Sequence, residues 1–226
     1  MIKYDKPYVA PTLVVDLVLF RIYQGRLEVL LLSRPFEPFK GHWALPGGYC
    51  PAGETTREAL RRIVTAKVGI NIENLDYLEQ LAAFDTVARD PRGHAVSVVY
   101  IGGVDKKLKI SQLSKNSQFI PVDDLPKVAF DHAQIIDLAR AKLGSSLDHT
   151  TIANVFLTEF FTIPELQKVY EAILGRILDR RNFQKKFLRR KTLIDTGRLQ
   201  PTPGARPAKL YKFKSPGIVP LNDSLD

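Results

Sequence analysis

A single cysteine, Cys50, in a chain of 226 residues excludes an intramolecular disulfide framework and a cysteine-rich zinc site. With no Cys–His pairing in view, the thiol reads as a small packing residue rather than a nucleophile. Long apolar runs are missing too. The longest, Leu13 to Phe20, is interrupted by Asp16 and falls far short of the ~20 residues that a membrane-spanning helix needs. The opening stretch Met1-Ile-Lys-Tyr-Asp-Lys-Pro7 is charged and has no apolar core, so no signal peptide is expected. These absences point to a soluble, cytoplasmic protein with no membrane partner.

What is present is 45% hydrophobic residues, enough for real cores, and a net charge of +9 that is unevenly spread. Residues 1–148 hold 19 Lys and Arg against 17 Asp and Glu, a balance of +2; residues 149–226 hold 14 against 7, or +7. Between Arg176 and Lys214 there are 13 basic residues and two acidic ones, Asp179 and Asp195. A near-neutral front and a strongly basic back imply different partners, and the back suits a polyanion.

Periodicity divides the chain at the same place. Two β-branched runs, Thr12–Phe20 and Leu27–Leu32, are joined by a Tyr23–Arg26 turn. A Gly/Pro-rich loop from Pro35 to Gly53 leads to a helix over Thr55–Val68, closed by Gly69. Strands are expected at Tyr77–Phe84, Ala95–Gly102 and Phe119–Val122, then a helix at His132–Lys142 and a linker at Gly144–Asp148. This order gives an α/β domain with a mixed sheet flanked by helices. Beyond it, Thr162-Ile-Pro-Glu165 spells a capping box opening a helix with Leu166, Val169, Tyr170, Ile173 and Leu174 on one stripe. Asp179 caps a second helix, Arg180–Lys191, with Phe183, Phe187 and Leu188 facing inward. Strands Leu193–Leu199 and Lys209–Phe213 follow around a Pro/Gly-rich tip, and the tail after Ser215 reads as extended or loosely docked. Helix, turn, helix and hairpin is the order of a small winged helix-turn-helix domain. The expected division is 1–146 and 149–226.

Residues 48–70 run Gly48-Tyr-Cys-Pro-Ala-Gly-Glu54-Thr-Thr-Arg-Glu-Ala-Leu-Arg-Arg62-Ile63-Val64-Thr-Ala66-Lys67-Val-Gly69-Ile70. This resembles the Nudix box, with Gly48, Glu54, Arg62, Val64, Gly69 and Ile70 in register, preceded by a typical Trp43-Ala-Leu-Pro-Gly-Gly48. Three positions depart from it. The family carries glutamates where this chain has Ile63, Ala66 and Lys67, which at i, i+3 and i+4 share one helix face. That face holds Mg²⁺ in active Nudix enzymes, and an alkyl group, a methyl and an ammonium form no hard-cation cage. No metal ligand, catalytic residue or cofactor is therefore assigned. Glu54 and Glu58 remain as candidates to assist a weak metal site; the favoured expectation is that the first packs or bonds locally and the second pairs with Arg61 or Arg62.

The segment Phe84-Asp-Thr-Val-Ala-Arg89-Asp-Pro-Arg92-Gly93 resembles one found in Nudix proteins that recognise ADP-ribose, which implies that Arg89 and Arg92 fork onto a diphosphate. Arg34, Gly48, Glu54 and Lys67 complete the candidate effector set, the Lys67 ammonium standing where the metal site is lost. Phe36 and Trp43 are candidates to stack on adenine. The back half resembles the C-terminal domain of Nudix-related transcriptional regulators, among them repressors of NAD metabolism. The resemblance implies a homodimeric repressor that binds a double-stranded DNA operator and senses ADP-ribose or a related nucleotide sugar. Arg180, Arg181, Asn182 and Lys185 are placed for the major groove, Lys186, Arg189 and Arg190 for phosphates, and Arg206 at the wing for a minor groove. Alternatives are an active ADP-ribose pyrophosphatase with displaced metal ligands and an RNA-binding adaptor.

The missing carboxylates set the first expected outcome. Incubated with ADP-ribose and Mg²⁺ or Mn²⁺, the protein should release AMP far below the usual enzymatic range of roughly 1–10³ s⁻¹. Turnover within that range would restore the enzyme reading.

Overall fold

A computed structural model describes residues 9–104, 113–202 and 205–221, except for the side chains at 202, 205 and 206. Strands β1 (Thr12–Tyr23) and β2 (Arg26–Ser33) form the expected hairpin. Gln24 and Gly25 both take the left-handed conformation at its turn, φ 49° and 77°, the geometry that matches the twist of paired strands. The stretch read as loop contains two short strands, β3 (Trp43–Ala44) and β4 (Gly47–Tyr49), which pair with β2 and β1. Helix α1 (Thr56–Val68) has a full Thr55–Glu58 capping box and ends on left-handed Gly69. Strands β5 (Tyr77–Phe84) and β6 (Ala95–Gly103) pair antiparallel, β6 runs parallel to β1, and β7 (Ser117–Pro121) pairs with β2. The result is the mixed sheet anticipated, in the order β3-β2-β1-β6-β5.

The side-chain alternation of β1 explains its continuous burial. Val15, Leu17 and Leu19 point to one core with Ala59, Leu60, Ile63, Val64 and Val68 of α1. Val18, Phe20 and Ile22 point the other way, to a core with Ile135, Ile136, Ala139, Leu143 and Leu147. Those five lie on α2 (His132–His149).

Helix α2 corrects the sequence reading. The segment Gly144–Asp148 is helical, so no flexible linker separates the parts there. Leu143 and Leu147, each 1% exposed, extend the buried stripe through the polar and glycine residues that read as punctuation. Tertiary burial overrides the local glycine signal. The core beneath α2 also continues without a break into the back half, through Leu166, Val169, Tyr170, Ile173, Phe183 and Phe187.

In that half, α3 (Ile163–Leu174) opens on the Thr162–Glu165 capping box and closes on Gly175, and α4 (Arg180–Arg189) is capped by Asp179, which accepts from the Asn182 amide at 2.8 Å. Tyr170, Phe183 and Phe187 form one aromatic cluster with centroids 4.7–5.2 Å apart. Leu188, expected inside, is 44% exposed, because Phe183 and Phe187 fill the seam at i and i+4. Strands β8 (Leu193–Thr202) and β9 (Ala205–Phe213) extend into the Pro-rich tip further than expected. Phe161 exchanges both backbone hydrogen bonds with Tyr211, tying the hairpin to the helices. The end of the described chain docks: Val219 accepts from the Thr151 amide, and the Leu221 amide donates to His149.

Gly144 supplies a test of the continuous helix. A Cβ there meets Leu174 Cδ2 at 3.6 Å, an ordinary contact. Gly144→Ala should therefore raise stability by about 0.4–1 kcal/mol in urea unfolding, since it removes unfolded-state freedom at a helical site. A loss of stability would return this segment to a linker.

Candidate functional site: a cationic pocket and a basic helix

Strand β4 and the loop after β5 converge on the start of α2 around a pocket of about 430 Å³. It brings together Arg34, Gly48, Lys67, Arg89 and Arg92, five of the six effector candidates. Glu54 lies outside the lining. Its carboxylate is gripped bidentately by Arg62, at 2.9 and 2.7 Å, and that pairing holds its pKa below the usual range. Glu58 does not pair with Arg61 or Arg62; it accepts from the Thr55 amide and hydroxyl at 2.8 and 2.7 Å, completing the helix cap. Phe36 is 75% exposed and Trp43 packs against the core, so neither lines the pocket.

The three departures from the Nudix pattern are visible side by side. Ile63 is buried under Gly48, Ala66 is exposed beside a separate groove, and the Lys67 ammonium donates to the Gly47 carbonyl at 2.7 Å. A resident hard cation does not fit this donor set: an alkyl chain, a methyl and a cation replace its ligands, and Glu54 is committed to Arg62. Shielding within the pocket lowers the Lys67 pKa, opposed by Asp16 and reinforced by Arg34 and Arg62.

Beneath the cations lies a buried cluster that the sequence reading did not assemble. Arg89 is 8% exposed, and its guanidinium fork is already spent on Asp131, with Nε to Oδ2 at 2.9 Å and Nη2 to Oδ1 at 2.7 Å. Asp16 lies 3.9 Å from Arg89 and 3.8 Å from His132, and accepts from the Ser97 hydroxyl at 2.6 Å. His132 Nδ1 accepts from the Leu45 amide at 2.9 Å, which places the ring proton on Nε2, facing Asp16. Burial opposes protonation of the ring and lowers the His132 pKa. Glycine is required at position 47, where a Cβ would stand 1.8 Å from Asp16 Oδ1. One signal was legible in advance: a carboxylate inside the β-branched run Leu13–Phe20 must be paired if that run is buried.

The mouth of the pocket is a cation-and-aromatic frame. Arg34 donates to the Pro38 carbonyl at 2.9 Å and lies 4.8 Å from the Phe130 ring; burial and the neighbouring Arg92 lower its pKa. Arg92 pairs with Asp90 at 2.6 Å while spanning the rings of Tyr49 and Phe130 at 5.9 and 5.7 Å. Arg34, Lys67 and Arg92 thus offer donors to an anion, and the two rings offer apolar faces. Arg89 is the buried support below them.

The DNA-binding candidates fall on one exposed helix face. Arg180, Arg181, Asn182, Lys185, Lys186 and Arg189 all face solvent from α4, opposite buried Phe183 and Phe187. Arg190 does not join them. It is 6% exposed and turned inward, with Nη2 on the Asp148 carbonyl at 3.4 Å, because it sits at the helix end where the chain reverses. The side chain of Arg206 lies outside the described residues. Among the described residues, no helix is long and apolar enough to cross a membrane.

Comparison with known proteins matches residues 12–139 to the NUDIX domain and residues 154–213 to the "NrtR DNA-binding winged helix domain". The chain is 33% identical over 218 residues to the "ADPR responsive transcriptional repressor NtrR" of Acinetobacter baylyi, covering 93% of this chain and 86% of that relative. Its front part is 38% identical over 145 residues to the ADP-ribose pyrophosphatase of Methanocaldococcus jannaschii, covering 63% of this chain and 82% of that enzyme. Among solved structures it resembles Shewanella oneidensis NrtR complexed with a 27mer DNA, at 34% identity and a TM-score of 0.74, over 89% of this chain and 93% of that one.

The buried pair yields the third expected outcome. Arg89→Ala leaves Asp131 and Asp16 without their cation, and breaking such a pair costs about 3–5 kcal/mol. Urea unfolding should register that loss. A change below ~1 kcal/mol would mean the pair is hydrated in solution and Arg89 is free for a ligand.

Proposed function

Because the chain belongs to the Nudix family and carries an NrtR DNA-binding winged helix domain, we propose that it is an effector-responsive transcriptional repressor. In this reading residues 1–146 bind ADP-ribose or a related nucleotide sugar and residues 149–226 bind a double-stranded DNA operator as a cytoplasmic homodimer. The observation that carries it is the pairing of a pocket lined by Arg34, Lys67, Arg89 and Arg92 with a separate helix exposing five cations and an asparagine. Two of the three relatives named above are described through ADP-ribose, one as responsive to it and one as its pyrophosphatase, which supports that ligand class.

In the pocket, Arg34, Lys67 and Arg92 neutralise the diphosphate, with Tyr49 and Phe130 available to the base or ribose. The ammonium of Lys67 takes the place of a metal ion, so the ligand is held without being cleaved. On α4, Asn182 reads a base edge and Lys186 and Arg189 bind phosphates. The two sites communicate through α2. Its first residues contact the pocket through the Arg89–Asp131 pair and His132, and its last turn meets the reader, where Tyr170 donates to the Leu147 carbonyl at 3.0 Å and Arg190 to Asp148.

A titration of ADP-ribose into the full chain, with and without a specific duplex, tests the reading. Binding of one ligand should weaken the other by the same factor, about 5–150-fold. Arg92→Ala should lower ADP-ribose affinity and leave duplex affinity in place. Asn182→Ala should cut discrimination between specific and random duplex by about 1–3 kcal/mol, whereas Arg189→Ala weakens both alike. Equal ADP-ribose affinity with and without duplex would sink the coupling; no ADP-ribose binding at all would sink the sensor.

A further inference from the structure

A second cavity, of about 370 Å³, lies at the base of the winged helix, away from the front pocket. Arg190, Lys191, Thr192 and Lys214 line it, with Phe213 and Pro220 as apolar walls. Among the described residues the lining holds three cationic side chains and no acidic one. Two of its polar groups lack partners among the described residues: Arg190 Nε and Thr192 Oγ1 are both buried and make no hydrogen bond. Arg190 is 6% exposed, so water cannot freely satisfy its Nε–H. Its Nη2 reaches the Asp148 carbonyl at 3.4 Å, and its guanidinium lies 5.6 Å from the Phe187 ring, which holds the fork in place.

We propose that this cavity is a binding site for a small oxyanion of the phosphate class. A guanidinium has only donors, and a buried donor left without an acceptor costs free energy that an acceptor recovers. The missing partner is therefore an acceptor, and the surrounding charge requires it to be anionic. Tetrahedral oxyanions accept from a guanidinium edge and a hydroxyl together, with Lys191 and Lys214 closing over them. The volume exceeds that of bare phosphate, so the occupant is a phosphomonoester whose organic part rests on Phe213 and Pro220. Such a ligand would bind where the last turn of α2, the end of α4 and the docked C-terminal stretch meet. This inference is independent of the effector reading, because none of these residues lines the front pocket.

The probe is inorganic phosphate, titrated into ¹⁵N-labelled full chain at ionic strength held constant with sodium chloride. The readout is the Nε–H resonance of Arg190, assigned by its loss in Arg190→Lys. A saturating shift is expected, with binding about tenfold or more weaker in Thr192→Val, which removes one hydrogen bond to a charged ligand. Lys214→Ala, at an exposed position, should also weaken binding without disturbing the fold. A shift that stays linear in phosphate overturns the proposal, as does saturation with equal affinity in wild type and both variants. If duplex DNA moves the resonance and phosphate alone does not, the donors serve the DNA backbone, which overturns it equally.

Discussion

Both halves of this molecule depend on the burial of α2. One helix supplies Ile135, Ile136 and Ala139 to the face of the Nudix sheet and Leu143 and Leu147 to the seam with α3. Arg140, on the same helix, donates to the Ile173 carbonyl at 3.0 Å and pairs with Asp123, so it binds the last turn of α3 to the front domain. Packed interiors of this kind do not deform continuously; they shift as units. The 18 residues of α2 are held at both ends by packing of this kind.

The anchor at its beginning is electrostatic. Arg89 faces both Asp16 and Asp131 out of solvent, with the His132 ring beside Asp16, and each of these charges would be costly alone. Their arrangement separates two arginines that one segment of the sequence assigns to the same role. Arg89 spends its charge inward and fixes the start of α2, while Arg92, three residues on and 46% exposed at its side chain, faces the pocket. The cations left facing the pocket are therefore Arg34, Lys67 and Arg92, with the buried cluster beneath them.

The Nudix scaffold and its altered helix face fit the same logic. Lys67 puts a cation where the Nudix pattern has a carboxylate, and a cation attracts a phosphate oxygen with no metal between them. Ile63 then adds apolar volume under Gly48, and Arg62 is held by Glu54. The helix face that carries carboxylates in the Nudix pattern presents an alkyl group, a methyl and an ammonium here, on an intact capped helix.

Much of this was legible from residues alone, where the signal is local. Capping boxes at Thr55 and Thr162, left-handed glycines at 69 and 175, and the alternation of β1 are each written within a few residues, so the mixed sheet and winged helix could be read directly. The loss of the metal face is likewise a matter of i, i+3, i+4 spacing. Tertiary structure decided what depends on distant partners. Gly144 reads as a linker until Leu174 packs over it; Arg89 reads as a ligand arm until Asp131, 42 residues away, takes its fork. Arg190 reads as one more DNA contact until the chain turns it under the domain. Spacing fixes which face of a helix a residue occupies, but only folding brings the opposite charge that determines whether an arginine is free to bind.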